Sequence, residues 1–193
     1  MSASADLEAC GISIRDQFVS PAEVRRLQKC ADERQSRGDF AAARIGSRAG
    51  TQRRESVRGD FTCWLREPFG EAESALLDRL EGLRLELNRE AYLGLFELEL
   101  HYALYPPGAG YERHLDQPQG TTQRKVSLVL YLNDGWGPGD GGALRMHEAR
   151  NQALDIEPVG GRLVCFLTSG REHQVLPARR ERLSISGWFR GRE

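Results

Sequence analysis

The chain has 193 residues, a formal net charge of −1, and 39% hydrophobic residues. Its 27 basic and 28 acidic residues nearly balance, which argues against a dominant electrostatic field for nucleic acid or a membrane surface. The length suits one domain that can bury a core without needing disulfides or metal ions for stability, and the composition is that of a globular protein.

The four cysteines predict reduced thiols. Cys10, Cys30, Cys63 and Cys165 form no CxxC pair and no zinc-like cluster. The first residues lack a basic region followed by an apolar run, so we expect no signal peptide. No apolar stretch reaches about 18 residues, the length that crosses a bilayer. A cytoplasmic protein is the simplest interpretation.

The first elements are predicted to be short, except for one helix. We expect residues 1–10 to be frayed, and an apolar alternation follows over residues 12–18. Ser20, Pro21 and Glu23 then form a helix start, with a serine cap, proline at the first helical position and glutamate placed for a capping box. This helix should run to about Arg37 and stop at Gly38.

A long polar loop and a second helix follow. Residues 41–60 contain little apolar periodicity and five arginines, which predicts a long mobile loop with a possible role as a lid. A short strand is expected at residues 61–65. From Glu71 to about Tyr92 apolar residues recur at helical spacing, which predicts a helix that packs against a sheet. Its expected stripe is Leu76, Leu77, Leu80, Leu83, Leu87 and Tyr92.

The remaining chain predicts a series of short strands separated by glycine- and proline-rich turns. The expected strands are residues 96–105, 126–132, 143–146, 153–156, 162–167, 174–176 and 182–189. This cadence is typical of a sandwich or barrel. We therefore predict an α+β chain with a double-stranded β-helix (jelly-roll) core at residues 96–193, braced by N-terminal helices and a mobile loop at residues 1–95, in one structural domain.

Two histidines and one carboxylate are candidate metal ligands. In an extended segment, alternate residues point the same way, so His114 and Asp116 would share a face. His173, at the start of a later strand, could complete a facial triad, the ligand set of non-haem iron(II) enzymes. A His-X-Asp pair alone is weak, because ordinary surface pairs produce it often. We interpret His101 and His147 as structural or surface residues.

The last strand has an unusual polar face. Arg182, Ser184, Ser186 and Trp188 should point one way, and the alternate apolar residues the other. An arginine fork matches a carboxylate in two parallel bonds, and Tyr131 could add a hydroxyl. A pocket for an anion and an ordinary surface salt bridge of Arg182 both remain open on this pattern.

Taken together, these residues resemble the iron(II)- and 2-oxoglutarate-dependent dioxygenases. The segment Tyr105 to Asp116, which reads Tyr-Pro-Pro-Gly-Ala-Gly-Tyr-Glu-Arg-His-Leu-Asp, is similar to the prolyl hydroxylase branch. Within that branch it is closest to the oxygen-sensing prolyl hydroxylases of animals and their bacterial relatives. The resemblance covers residues 96–190 and extends thinly to the segment Arg58-Gly-Asp60, which resembles the family's mobile loop.

The resemblance implies a role for each matching residue. Iron(II) would be held by His114, Asp116 and His173. The cosubstrate 2-oxoglutarate would be bound by Arg182, Tyr131, Tyr105, Ser186 and Leu144. The target proline segment would be contacted by Arg58, Asp60, Tyr111, Arg124, Val129 and Trp188. Ascorbate is a further expected cofactor.

The same resemblance implies a protein substrate, and its bacterial members suggest elongation factor Tu as a first candidate. Three departures affect the substrate. The segment before His114 is one residue shorter than in the animal enzymes, and His101 stands where an apolar residue is expected. The loop from Gly135 to Gly142 is rich in glycine. Three alternatives remain: an oxygenase of free proline or another small molecule, a non-catalytic module with a structural zinc, and a nucleic-acid demethylase. The near-neutral charge argues against the last.

Overall fold

The computed structural model describes residues 2–44, 57–117, 123–148 and 152–192 of the chain. Three helices, α1 (Ala3–Cys10), α2 (Pro21–Ser36) and α3 (Glu71–Ala91), lie in its first half. Eleven strands occupy the described residues: β1 (Ile12–Arg15), β2 (Ala41–Ala42), β3 (Phe61–Trp64), β4 (Leu95–Tyr105), β5 (Tyr111–His114), β6 (Arg124–Tyr131), β7 (Leu144–His147), β8 (Ala153–Ile156), β9 (Leu163–Leu167), β10 (His173–Val175) and β11 (Arg182–Gly191).

The strands form two antiparallel sheets. The larger has the order β1-β9-β6-β11-β4-β3-β2, and the smaller has the order β5-β10-β7-β8. One apolar cluster includes Tyr131 and Phe166 of the larger sheet and Leu144, Met146 and Val175 of the smaller. The two sheets therefore face each other, as the predicted jelly roll requires. Strands β1, β2 and β3 come from the first 95 residues, so the N-terminal half extends the same large sheet.

The helices cover the outer face of the large sheet. Leu76, Leu80, Leu83 and Leu87 of α3 are buried in a cluster that includes residues of β4, β6, β9 and β11. This confirms the predicted stripe, except that Tyr92 is 87% exposed and is the left-handed C-cap of α3. None of the helices in the described ranges is long and apolar enough to cross a membrane.

The predicted capping box of α2 is present. The backbone N–H of Glu23 donates to Ser20 Oγ at 3.3 Å, and the backbone N–H of Ser20 donates to Glu23 Oε2 at 2.7 Å. The helix ends at Ser36, with Arg37 as its cap. These reciprocal bonds satisfy two of the amide donors that a helix start leaves without partners.

The expectation of a frayed N-terminus was wrong, because α1 spans Ala3–Cys10. Ala3 and Leu7 are buried in the core that the helices share, and Ser4 Oγ donates to Glu90 Oε2 of α3. Ser13 Oγ of β1 donates to Asp6 Oδ2 at 2.8 Å. An isolated helix of this length is marginal in water, so these tertiary contacts hold it.

A buried ion pair joins α2, α3 and the large sheet. Arg34 donates from Nε and Nη2 to the two oxygens of Glu73, both at 2.8 Å, and Tyr102 Oη donates to Glu73 Oε1 at 3.0 Å. Glu73 is 1% exposed and Arg34 is 8% exposed. The pair fixes the helical layer against β4, the strand that also carries Tyr105 on its opposite face.

Candidate metal centre and active site

The two predicted histidines and the predicted carboxylate converge at one end of the small sheet. His114 ends β5 and His173 begins β10, and the two residues face each other in the antiparallel register of these strands. Asp116 Oδ1 lies 3.5 Å from His114 Nε2, and Asp116 Oδ2 lies 3.5 Å from His173 Nε2. The candidate ligand atoms of the three residues all lie within 4.8 Å of one another.

Asp116 is positioned differently from the expectation. The sequence placed His114 and Asp116 on one extended segment, but β5 ends at His114 and Asp116 lies in the bend that follows. The bend turns the carboxylate back between the two imidazoles, with one oxygen toward each. The two-residue spacing is therefore realised by a strand end and a turn rather than by strand alternation.

The histidine tautomers fit a metal ion. His114 Nδ1 lies 2.7 Å from the carbonyl oxygen of Glu112, and His173 Nδ1 lies 3.0 Å from the carbonyl oxygen of Arg171. A neutral imidazole that donates from Nδ1 to a carbonyl presents the lone pair of Nε2. Both Nε2 atoms point at Asp116. Two imidazoles and one carboxylate on one face are the donor set of non-haem iron(II) sites, so these residues fit iron.

The electrostatics also favour a cation between these side chains. Burial raises the pKa of Asp116, but hydrogen bonds with His114 and His173 outweigh burial and hold this pKa well below its ordinary value. Burial lowers the pKa of His173, but its hydrogen bond with Asp116 and the charge of that carboxylate raise this pKa overall. Asp116 is thus a carboxylate, and in the metal-free protein it attracts a proton to His173.

Two further side chains orient Asp116. Ser127 Oγ donates to Asp116 Oδ2 at 2.7 Å, and Arg124 Nη1 donates to the backbone carbonyl of Asp116 at 2.9 Å. Ser127 is 1% exposed and comes from the buried strand β6 of the large sheet. The Phe166 ring packs edge-on against His173, with ring centroids 4.8 Å apart. The large sheet therefore braces ligands that the small sheet presents.

Arg182 is a fully buried cation without a carboxylate partner. It is 1% exposed and forms no ion pair with any acidic residue in the described ranges. Its Nε donates to the carbonyl of Gly142 at 3.0 Å, and its guanidinium lies 5.1 Å from the ring centroids of both Tyr105 and Tyr131. Because Arg182 is buried, the surface salt bridge that the sequence left open is excluded. A buried charge is costly unless a partner binds it, so this guanidinium favours an anionic ligand.

Tyr131 supplies the polar atom expected beside such a ligand. Its hydroxyl is buried and has no hydrogen-bond partner among the residues that the structure describes. Burial raises the pKa of Tyr131, so the hydroxyl is a donor, and Arg182 beside it opposes that rise. A guanidinium and a hydroxyl donor at one place match a carboxylate of a ligand.

Gly142 makes room for this arginine. Its φ of +72° is in the left-handed region, and a Cβ there would lie 2.9 Å from Ala178 Cβ and 3.3 Å from Arg182 Cδ. The glycine thus lets its carbonyl approach Arg182 Nε and fix the plane of the guanidinium. The sequence showed a glycine-rich segment here without indicating this contact.

The other predicted cosubstrate residues lie on the same inner surface. In the register of the large sheet, Ser184 faces Tyr131 and Ala103, and Arg182 faces Tyr105. Ser186 occupies the next position on that face, 3.3 Å from Ser184 through their hydroxyls. Leu144 of the small sheet is buried in the apolar cluster that includes Tyr105 and Tyr131. Four of the five residues therefore share one face of the large sheet, and Leu144 packs against that face from the small sheet.

Three of the predicted substrate residues form a connected group beside the triad. Arg58 binds Asp60 through two hydrogen bonds of 2.7 and 2.9 Å, and its guanidinium lies 4.7 Å from the centroid of the Tyr111 ring. Tyr111 stacks on His114 with ring centroids 3.5 Å apart. Burial lowers the pKa of Arg58, but Asp60 raises it overall.

The segment that carries Arg58 is docked rather than loose. Glu112 N–H donates to the carbonyl of Val57 at 2.8 Å, and Gly59 N–H donates to the carbonyl of Gly110 at 3.0 Å. Arg58 and Tyr111 are therefore paired as an isolated antiparallel β-bridge. Residues 57–60 thus extend the edge of the small sheet next to β5. We predicted a mobile loop over residues 41–60. Most of that range, residues 45–56, lies outside the described residues.

The remaining predicted substrate residues line the large sheet next to the triad. The Arg124 guanidinium lies 3.4 Å from the ring centroid of Trp188, and Arg124 Nη2 lies 3.8 Å from Glu99 Oε2. Burial lowers the pKa of Arg124, and the Asp116 and Glu99 charges oppose this. Val129 is half-buried and faces Ser186. The structure thus groups the predicted site residues on the facing surfaces of the two sheets and on the adjoining residues 57–60.

Sequence reasoning missed Ser127, Trp64 and the position of His101. Ser127 could have been found as a polar residue within the otherwise apolar strand β6. Trp64 faces His101 in the register of β3 and β4, and their ring centroids are 4.9 Å apart. His101, interpreted as structural or surface, is 4% exposed and lies on the same face as Ser186. No local pattern distinguishes that face from the helix-covered one.

Comparison with known proteins agrees with this geometry. Residues 100–190 match the 2OG-Fe(II) oxygenase superfamily. A solved Pseudomonas putida prolyl-4-hydroxylase is 43% identical, with a TM-score of 0.90 over 99% of this chain and 98% of that one. A Trichoplax adhaerens prolyl hydroxylase, solved in complex with a hypoxia inducible factor oxygen degradation domain peptide, is 28% identical, with a TM-score of 0.83 over 97% and 87% of the two chains.

Curated relatives are similar over only part of their length. Human Egl nine homolog 1 is 30% identical over 93% of this chain and 43% of the relative. Human prolyl hydroxylase EGLN3 is 34% identical over 75% of this chain and 63% of the relative. The chain thus spans roughly half of the length of these proteins.

Proposed function

This chain belongs to the 2OG-Fe(II) oxygenase superfamily, in its prolyl hydroxylase branch, and we propose that it hydroxylates a proline residue in a polypeptide. The main support for the proposal is that one cleft contains both a set of metal ligands and a binding site for a carboxylate. His114, Asp116 and His173 present a facial set of metal ligands. The buried Arg182 lies beside the hydroxyl of Tyr131, which has no hydrogen-bond partner among the described residues. The first feature fits iron(II), and the second fits the distal carboxylate of 2-oxoglutarate.

Each residue of the cleft has a defined task in this reaction. Iron(II) held by the triad would supply oxidation of a carbon–hydrogen bond by dioxygen, coupled to decarboxylation of 2-oxoglutarate. Arg182 and Tyr131 bind the cosubstrate carboxylate, and Leu144 provides an apolar wall. Arg124 and Ser127 hold Asp116 in place. Tyr111, stacked on His114, covers the triad on the side of residues 57–60 and restricts access of water.

A polypeptide substrate is favoured over a free amino acid by the surroundings of the triad. Trp188 and Arg124 form a stacked platform on one side, and Arg58, Asp60 and Tyr111 lie on the other. A cavity of about 470 Å³ adjoins the second group and is lined by residues 57–61, 106, 108–112, 174–175 and 177, with Ala42 and Ala43. This is more space than the reacting residue needs, and flanking residues of a chain would fill it.

Elongation factor Tu is the first protein to test as the substrate, and we place the reaction in the cytoplasm. The four cysteines are free, which is consistent with a reducing compartment. Ascorbate is proposed as an accessory reductant. The Trichoplax relative was solved with a polypeptide fragment, which supports this class of substrate for the present chain.

The deciding experiment is incubation of the protein with iron(II), 2-oxoglutarate and one of three probes. The probes are elongation factor Tu, a pool of synthetic proline-containing peptides, and free proline. We expect mass spectrometry to show a gain of one oxygen on a proline of the first or second probe, with stoichiometric succinate. A His114→Ala variant is the control. Oxidation of free proline alone would replace the proposal with the small-molecule alternative, and no succinate with any probe would refute both.

A further inference from the structure

Two buried ring nitrogens near the triad have no hydrogen-bond partner among the described residues. They are Nδ1 of His101 and Nε1 of Trp188, in side chains that are 4% and 8% exposed. The proposed mechanism uses neither atom. A buried polar atom without a partner costs stability, so such atoms in a native protein usually mark a bound water, an ion or a ligand.

The register of the large sheet places both atoms on the inner surface. His101 of β4 faces Ser186 of β11, and Trp188 follows Ser186 by two residues on the same side. The rings of His101 and Trp188 have centroids 5.6 Å apart, and the Trp64 ring lies 4.9 Å from His101 and 6.4 Å from Trp188. We call these three residues the His101 subsite. Trp64 is 44% exposed, so the subsite reaches the surface.

The charged residues around the subsite are already engaged. Arg58 is paired with Asp60, and Arg124 donates to the carbonyl of Asp116 and lies over Trp188. Burial, and then the charge of Arg58, lowers the pKa of His101 to about 4, so its imidazole is neutral near pH 7. The subsite therefore offers neutral polar atoms between aromatic walls rather than a charge.

The hydrogen-bonding capacity of His101 Nδ1 and Trp188 Nε1 indicates which ligand groups they can bind. An indole N–H can only donate, whereas a neutral imidazole has one donor and one acceptor nitrogen. A ligand that satisfies both must offer an acceptor near Trp188 and a donor or acceptor near His101. A main-chain peptide group has a carbonyl acceptor and an N–H donor, and consecutive Cα atoms are about 3.8 Å apart, so one or two peptide groups bridge the subsite.

We propose that His101 determines substrate specificity by hydrogen bonding, together with Trp188, to the main chain of the polypeptide next to the target proline. The inference rests on the proposed function, because it names how a polypeptide would be held in the same cleft. His101 would act on peptide recognition and would leave the triad and the 2-oxoglutarate pocket unaffected.

The test compares three variants with the wild type. His101→Leu removes both ring nitrogens, and His101→Asn returns a polar atom near the position of Nδ1. His147→Leu is the control for loss of an imidazole, because His147 lies on the less buried side of β7 and its Nε2 lies 2.8 Å from Gln174 Oε1 rather than beside Trp188. The probes are a pool of synthetic proline-containing peptides and analogues in which an ester replaces one amide next to the proline.

We expect His101→Leu to raise the KM for the peptides about tenfold, the loss typical of a buried polar partner left unpaired. The KM for 2-oxoglutarate and the content of iron should be unchanged, and the melting temperature should not fall. His101→Asn should recover part of the loss, and His147→Leu should match the wild type. At one position the ester analogue should weaken binding to the wild type and leave the His101→Leu variant unaffected.

Other results would overturn the inference. An unchanged peptide KM in His101→Leu would do so, as would an equal effect of every ester analogue on the wild type and this variant.

A failure of the proposed function is distinguished from a failure of the inference by measuring peptide binding directly, through the fluorescence of Trp64 and Trp188. If the wild type binds peptides without oxidising them and His101→Leu does not bind, the subsite stands and the hydroxylase proposal fails. If the wild type neither binds nor oxidises peptides, both fail.

Discussion

The hydroxyl of Ser127 donates a 2.7 Å hydrogen bond to Oδ2 of Asp116, the carboxylate oxygen that lies 3.5 Å from His173 Nε2. Such outer partners hold a ligand in the orientation that the metal needs, and losing one typically costs 10- to 100-fold in metal affinity. We therefore expect Ser127→Ala to weaken iron binding by about this factor, as measured by metal titration. The same change should leave the fold intact, because it removes one atom.

Thr168 provides the matched control for Ser127. Its hydroxyl lies 3.2 Å from Ser127 Oγ, and it is fully buried in the same way. Thr168→Val should therefore leave iron affinity within about twofold of the wild type, if the bond to Asp116 is what matters. Equal losses in the two variants would show that general polarity of this region, and not the bond to Asp116, sets the affinity.

The three ligands themselves should be indispensable. His114→Ala, Asp116→Ala and His173→Ala each remove one of the three convergent donors, so we expect loss of bound iron and of succinate formation. Metal analysis and a succinate assay on the purified variants would test this. Unchanged consumption of 2-oxoglutarate in all three variants would contradict the assignment of the metal site.

Arg182→Lys should weaken cosubstrate binding although the charge is kept. A guanidinium fork binds a carboxylate through two parallel bonds, and an ammonium group does not reproduce this geometry. A charge-assisted hydrogen bond contributes about 1.5–3 kcal/mol, so we expect the KM for 2-oxoglutarate to rise by roughly 10- to 100-fold. Tyr131→Phe should raise it less. An unchanged KM in Arg182→Lys would remove Arg182 from the cosubstrate pocket.

Patterns that depend on the local chain were predicted well. The capping box at Ser20, the leucine stripe of α3 and the two faces of β11 follow from spacing alone, because helix and strand periods fix which side chains share a face. The elements that depend on distant contacts were not predicted. Helix α1 is held against α3 by the hydrogen bond from Ser4 to Glu90, and its Ala3 and Leu7 are buried in a core cluster made largely of residues far along the chain.

In the site, too, features set by the local chain were predicted and features set by distant contacts were not. His114, Asp116, His173 and Arg182 were identified from residue type and spacing, and from resemblance. The partners that tune them were not, because Ser127 reaches Asp116 across the gap between two sheets and the carbonyls of Arg171 and Gly142 carry no side-chain signal. Sequence spacing specifies positions along one element, whereas these contacts depend on how elements pack.

The ion pair between Arg34 and Glu73 should be important for stability. Both groups are buried, and removal of one partner leaves the other charge without compensation, which typically costs about 3–5 kcal/mol. We expect Arg34→Ala to lower the free energy of unfolding by about this amount in urea denaturation. Lys29→Ala on the same helix is the control, because its 4.0 Å pair with Glu33 is exposed and should contribute below about 0.5 kcal/mol. Similar losses in the two variants would contradict the importance of burial.

His101 should make the protein sensitive to acid. Its pKa is lowered from 6.5 to about 4 in the folded state, chiefly by burial and then by the charge of Arg58, whereas Asp60 and Asp116 oppose this. Between these two values the unfolded chain binds more protons than the folded one. The contribution of the neutral imidazole to stability is therefore complete above pH 6.5, and it is lost progressively as the pH falls toward 4.

Comparison of the wild type with His101→Leu isolates this effect. From the lowered pKa, the loss between pH 7 and pH 5 amounts to about 2 kcal/mol for this one group, and leucine cannot bind a proton. We expect urea denaturation of the variant to show a pH dependence that is shallower by that amount, with other carboxylates and histidines contributing equally to both proteins. Parallel curves for the wild type and His101→Leu would mean that His101 is protonated as easily in the folded protein as in the unfolded chain, and is not buried as a neutral imidazole.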